Sequence, residues 1–217
     1  MCGRYSLSSD PQQVSKLFGI DNTSNFNSRF NISPGQDAIA IYKKESKINM
    51  GFLNWGIKIN LKLNNSSLVI NARSETINKK FLFKNLFETK RCLIPANCWF
   101  EWDKYKQPFC IHSRQSNIIA FAGVIDIKTN QKSNFVIATS SAEGGLENIH
   151  KRTPAIIDKN NFDLWLNGSP EEALNLLSPI NSSAFNWYRV SKELGSVKND
   201  YPSLIEEIEE QQPSLFN

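Results

Sequence analysis

The apolar residues of this chain come in short parcels, and that parcelling is the tightest constraint on its fold. Runs at Asp37–Tyr42, Lys47–Ile57, Leu68–Asn71, Arg91–Ile94, Cys98–Trp102, Phe109–His112, Ile118–Ile127 and Asn134–Thr139 are rich in β-branched and aromatic side chains. Polar Asn, Ser, Lys and Gly separate them, which predicts many short strands. The longest nearly unbroken apolar run, Ile118–Ile125, falls far short of the roughly 20 residues a membrane-spanning helix needs. Helix signals are fewer. Asp10 and Pro11 supply a cap and a first-turn proline, and Gly19 closes the short helix they start. Further helices are predicted at Ser74–Phe87, at Asn160–Leu166 and, behind Ser169 and Pro170, at Glu171–Leu177. No internal repeat is present. The pattern implies an α+β fold: a single domain with a curved, largely antiparallel, barrel-like β-sheet core and short peripheral helices.

A length of 217 residues suits one domain, and 40% hydrophobic residues supply an ordinary globular core. The net charge of +4 hides an asymmetry, because Glu206, Glu207, Glu209 and Glu210 sit together near the C-terminus. Without them the rest carries +8. We therefore divide the chain into a body, 1–205, and a mobile acidic tail, 206–217. A basic body fits a polyanionic partner, nucleic acid first, or else a solvated Lys-rich surface. The N-terminus shows no basic segment leading into an apolar one. The expected location is cytoplasmic and nucleoid-associated, with no membrane role.

Four cysteines, at positions 2, 92, 98 and 110, form no Cys-x-x-Cys pair, and His112 and His150 complete no zinc pattern. Neither a metal nor a cofactor is expected. Cys92, Cys98 and Cys110 lie in strand-like runs and read as packed thiols. Cys2 stands apart. Removal of Met1 would leave it with an amine and a thiol on adjacent carbons, a pair that closes on an aldehyde, first as a Schiff base and then as a thiazolidine. About 17% of α-amines are neutral at pH 7, against about 0.04% of lysines, so the terminus outcompetes any lysine before tuning.

Cys2 also keeps particular company. Met1-Cys2-Gly3-Arg4-Tyr5, Arg29-Phe30-Asn31-Ile32-Ser33-Pro34, Ile70-Asn71-Ala72-Arg73-Ser74-Glu75-Thr76, Arg91-Cys92-Leu93-Ile94-Pro95-Ala96, Trp99-Phe100-Glu101-Trp102 and Ile149-His150-Lys151-Arg152-Thr153-Pro154 occur in that order. Val190-Ser191 and Val197-Lys198-Asn199-Asp200 follow. Together they resemble the SRAP family, the SOS-response-associated peptidases, which sense abasic sites in single-stranded DNA. The resemblance runs to about Ile205 and implies a covalent thiazolidine link to the opened abasic sugar, with self-removal of Met1. It also implies a role for each matching residue. Cys2 would be the nucleophile, Asn71 would position the amine and the sugar, Glu101 would be the general acid/base, and His150 would assist proton transfer and reversal.

Glu101 sits between aromatic neighbours, where partial burial would raise its pKa and make it a competent acid. Arg4, Arg73 and Arg152, each within two residues of one of these groups, read as phosphate clamps. Trp55, Trp99 and Trp102 offer rings for base stacking, with core packing as the competing use. His112 reads as structural. Three departures from the family stand out: Ile57-Lys58-Ile59-Asn60-Leu61 where a Pro and a second aromatic are usual, Cys98 for a Gly, and Thr153 for a Met.

The expected partner is single-stranded DNA containing abasic sites, met by a monomer. Two other classes stay open: an N-terminal-nucleophile amidohydrolase or thiol peptidase, and a non-covalent single-strand-binding domain. The tail adds a separate expectation. Gln212-Pro213-Ser214-Leu215-Phe216 looks like the bacterial sliding-clamp-binding pentapeptide, with Leu215 and Phe216 filling an apolar pocket and Gln212 bonding at its rim.

Overall fold

Short strands dominate the computed structural model, which describes residues 2–21, 24–60, 66–127 and 132–209. In chain order they are β1 (Tyr5–Leu7), β2 (Arg29–Ile32), β3 (Asp37–Lys44), β4 (Lys47–Trp55), β5 (Ile57–Asn60), β6 (Ser66–Val69) and β7 (Asn71–Arg73). Then come β8 (Arg91–Ala96), β9 (Cys98–Trp102), β10 (Pro108–Ser113), β11 (Ile119–Asp126), β12 (Asn134–Ser141), β13 (Arg152–Pro154) and β14 (Phe185–Arg189). The α-helices are α1 (Pro11–Phe18), α2 (Phe81–Thr89), α3 (Phe162–Asn167) and α4 (Pro170–Asn175). Among the described residues no helix is long and apolar enough to cross a membrane.

One sheet runs β14-β10-β9-β1-β2. The other runs β11-β8-β3-β4-β12-β13, and because β11 also pairs with β12, five of its strands close into a ring. Most pairings are antiparallel, as expected for a curved α+β core. β12 is the exception that organises the ring: it pairs in parallel with β4 and then with β7 along one edge. Along the other edge it meets β11 and then β13, both antiparallel. Its residues Phe135 to Ser140 are buried, as befits a strand covered on both faces. At the closure, a Cβ on Gly123 would stand 2.8 Å from Cys92 Sγ and 3.0 Å from the Val136 carbonyl, so only glycine lets β8, β11 and β12 approach this closely.

Both sheets share one apolar core. Tyr5 of β1 packs 5.2 Å from Trp55 and edge-on at 5.7 Å from Phe121, joining the short strand to the ring. The capping signals act as the sequence implies. Asp10 accepts from the amides of Gln12 and Gln13 at 2.9 Å, Gly19 ends α1 at φ 63°, and Ser169 with Glu172 forms a reciprocal capping box.

The predicted helix at Ser74–Phe87 is a correction. A tight turn at Ser74–Thr76 is followed by a break at Lys80 (ψ 130°), and α2 starts only at Phe81. One continuous helix would point Ile77 and Phe83 about 120° apart. The break lets both be buried. The chain also stays attached past residue 205: Leu204 is buried, and the Ile208 amide donates to the Arg189 carbonyl at 3.0 Å.

Candidate active site

β1 pairs with β9 so that Tyr5 lies opposite Trp99, and the Phe100 amide donates to the Arg4 carbonyl at 3.0 Å. Carrying that register on brings the chain at Gly3 alongside Glu101. Alternation puts Glu101 on the same face as Trp99, the face turned toward the core that holds Cys2 and Tyr5. Cys2 is fully buried. Burial first, then the nearby Glu101 carboxyl, push its thiol pKa well above the usual range, while the Arg4 backbone amide pulls the other way.

Glu101 is buried at 4% exposure. Burial raises its pKa from 4.5 to about 8. His150 Nδ1 lies 3.8 Å from Glu101 Oε2. A short turn places that imidazole: the His150 amide donates to the Leu146 carbonyl at 3.0 Å, and Nδ1 lies 3.0 Å from the Arg152 carbonyl and 3.1 Å from the Arg152 amide. Burial holds the His150 pKa below its usual value. Near neutral pH the pair is therefore a protonated carboxylic acid beside a neutral imidazole, one able to give a proton and the other to take one.

Asn71 opens β7, opposite Ile137 of β12. Its Nδ2 makes a long 3.5 Å contact to the Ile137 carbonyl, and its Oδ1 is buried without a partner. Such an acceptor is available to an amine or hydroxyl entering the site. Cys2, Glu101 and His150 are thus brought together, with Asn71 on β7, which flanks the ring strand β12.

The arginines divide. Arg4 is half-buried, donating to Asn31 Oδ1 at 2.8 Å and the Leu194 carbonyl at 3.1 Å, with its guanidinium 5.8 Å over Trp102. Asn31 in turn holds the carbonyls of Leu194, Ser196 and Asn199. Arg152 forms a two-point pair with Glu75, whose second contact is 3.0 Å, and also donates to the Thr139 carbonyl. The Arg152 guanidinium holds the Glu75 carboxyl below its ordinary pKa. Two of the three expected clamps are therefore committed to the protein itself, and Arg73 is the one whose side chain is exposed.

The expected stacking rings need correction. Trp55 and Trp99 are fully buried, and Trp55 Nε1 donates to the Ile70 carbonyl at 3.0 Å. Their rings contribute more by leaving water than by waiting for a base. Sequence reasoning missed Glu75 and Asn31, although both lie in the quoted blocks; a carboxylate or amide close to a motif arginine was the available signal. Met1 and the proposed clamp-contacting Gln212, Leu215 and Phe216 lie outside the described residues.

Known proteins similar to this chain identify its family and its fold. The profile of a family described as SOS response associated peptidase (SRAP) matches residues 1–197. The abasic site processing protein YoqW of Bacillus subtilis is 32% identical over 228 aligned positions, covering 95% of this chain and 99% of that protein. The abasic site processing protein YedK of Escherichia coli is 27% identical, covering 96% of this chain and all of that one. A crystal structure of a protein from Bacteroides thetaiotaomicron superposes with a TM-score of 0.80 over 95% of this chain at 21% identity, a likeness of fold.

Proposed function

The chain belongs to the SOS response associated peptidase family, and from that premise we propose that it processes abasic sites in single-stranded DNA by capturing them on Cys2. The observation that carries the reading is the buried carboxyl of Glu101, set against Cys2 and 3.8 Å from His150.

After loss of Met1, read here as a self-processing step, the Cys2 amine adds to the C1′ aldehyde of the opened sugar, with Asn71 Oδ1 accepting from the reacting group. Glu101, protonated near neutrality, gives its proton to the carbinolamine hydroxyl. Water leaves and a Schiff base remains. The thiol is held protonated by its surroundings, so it needs a base, and the carboxylate just created is in place. Sulfur bonds to C1′, the C=N electron pair returns to nitrogen, and the proton passes back; the net change is loss of one water. His150 exchanges protons with the pair and serves the reverse direction. Arg73 binds backbone phosphate. The tail motif around Leu215 and Phe216 would bring the protein to the sliding clamp.

Denaturing electrophoresis and mass spectrometry with an oligonucleotide carrying one abasic site test the chemistry. A heat-stable adduct is expected at the sum of the two masses less one water, absent with intact DNA and absent for Cys2→Ala. An adduct that survives Cys2→Ala overturns the mechanism. Amide hydrolysis without any adduct favours the amidohydrolase class instead. Calorimetry of the clamp with a peptide of the last residues tests the tail, and absence of heat retires that role.

A further inference from the structure

The chain leaves the site along an exposed cationic ridge. β7 ends at exposed Arg73, the Ser74–Thr76 turn follows, and Lys79, Lys80, Phe81 and Lys84 at the start of α2 are all exposed. Phe81 presents its whole side chain at 102% exposure, beyond Tyr105 at 73%, the next most exposed large hydrophobic among the described residues. Folding gives it no contact, whereas Phe83 and Phe87 of the same helix are buried. A fully wet aromatic ring is a cost to the isolated molecule unless something else covers it.

Charge indicates what covers it. From Arg73 to Lys84 the one acid is Glu75, and Arg152 neutralises it. Phe81 and Lys84, three apart on the helix, are surface neighbours. The ridge is also continuous with the site. A groove of about 370 Å³ has Ser74, Glu75, Lys79 and Ser141 on one wall and Leu174 and Leu177 on the other, and Ser141 is the cross-strand partner of Arg152 beside His150. A planar ring among lysines, beside a groove that runs from Lys79 to Ser141, matches the stacking-plus-phosphate chemistry that holds unpaired nucleotides.

We propose that Phe81 is a stacking platform for an unpaired base of the bound strand, with Lys79, Lys80 and Lys84 on the flanking phosphates. The proposal rests on the nucleic-acid reading above. It supplies the open aromatic surface that the buried Trp55 and Trp99 do not.

Fluorescence anisotropy of the full chain with an intact oligothymidylate of about 20 nucleotides tests it, since an intact strand needs no adduct chemistry. Phe81→Ser should weaken binding about five- to a hundredfold, Phe81→Leu should weaken it similarly, and Phe81→Trp should restore it. Lys80→Gln and Lys84→Gln should each lower the slope of log affinity against log salt by about one. Melting temperatures should stay put because the ring touches nothing. Wild-type binding by Phe81→Ser or by Phe81→Leu overturns the proposal. So does a change in sedimentation of the free protein by Phe81→Ser with strand binding untouched, which would assign the ring to a protein contact. Normal adduct formation together with neutral Phe81 variants retires this proposal alone; absent adduct with weakened Phe81 variants retires the mechanism alone.

Discussion

Arg91 and Glu101 are both buried ionisable side chains, and the regions around them treat them in opposite ways. Beneath α2 and α3, the Arg91 guanidinium is sunk in the fold with donors on the carbonyls of Trp165, Gly168 and Phe87, and it lies 5.7 Å and 5.9 Å from the Phe87 and Trp165 rings. On β7, β12 and β13 and in the turn after β7, the stretch that leads to Glu101's neighbour His150, the packing is under-satisfied. Asn71 Oδ1, Thr76 Oγ1, Ser140 Oγ, Thr153 Oγ1 and Arg152 Nε are all buried without partners. Native structures leave few such atoms, and a cluster of them marks a place reserved for something else. A saturated buried charge holds helices onto a sheet; an unsaturated polar pocket trades stability for reactivity.

Substituting each group separates the two uses. Glu101→Gln keeps the shape and loses the titrating proton, so adduct formation should slow by about 10²–10⁴-fold in single-turnover assays, with stability kept or raised. An adduct rate equal to wild type would make the carboxyl structural and erase the contrast. pH sharpens the same point. Because the folded pKa is about 8 instead of 4.5, the folded chain holds this proton more tightly than the unfolded chain. Stability should therefore be greatest at acid pH as far as this group is concerned, and fall as pH climbs from about 4.5 to about 8. The adduct rate should fall on the alkaline side of pH 8 as the acid form is lost. Glu101→Gln should flatten both trends, which parallel chemical-denaturation and rate profiles would reveal.

Arg91→Ala addresses the saturated region. It strands several carbonyls and empties an aromatic sandwich, at a cost of about 3–5 kcal/mol in denaturant titration. The adduct rate of the molecules that remain folded should be unchanged. The smallest effect separates two arginines near the site: Arg73→Gln should lower the salt dependence of strand binding by about one unit of slope. Arg4→Gln should leave the slope alone and lower the melting temperature instead.

What could be read from the sequence follows from how local the cause is. The runs that became β3, β4, β8, β9, β11 and β12 carry their own apolar pattern. β1, with Ser6 at its centre, and β14, Phe-Asn-Trp-Tyr-Arg at a sheet edge, gain strand character only from neighbours, and neither was anticipated. The catalytic candidates were legible because they sit inside recognisable blocks. The fates of Arg4 and Arg152 were not, since their partners lie 27 and 77 residues away. A tryptophan reads alike whether it will be buried or displayed, so Trp55 and Trp99 were assigned a surface they do not have. Phe81 passed unnoticed in a helix full of phenylalanines for the same reason.

The tie between Arg4 and the Leu194 carbonyl spans 190 residues. Contacts of such sequence separation form late, and during synthesis the acceptor leaves the ribosome long after Arg4. The N-terminal strand can pair with β2 and β9 earlier, but this one tie of Arg4 waits for Leu194. A chain cut short of Leu194 is therefore expected to hold Arg4, and with it the neighbouring Cys2, less firmly than the longer chain does.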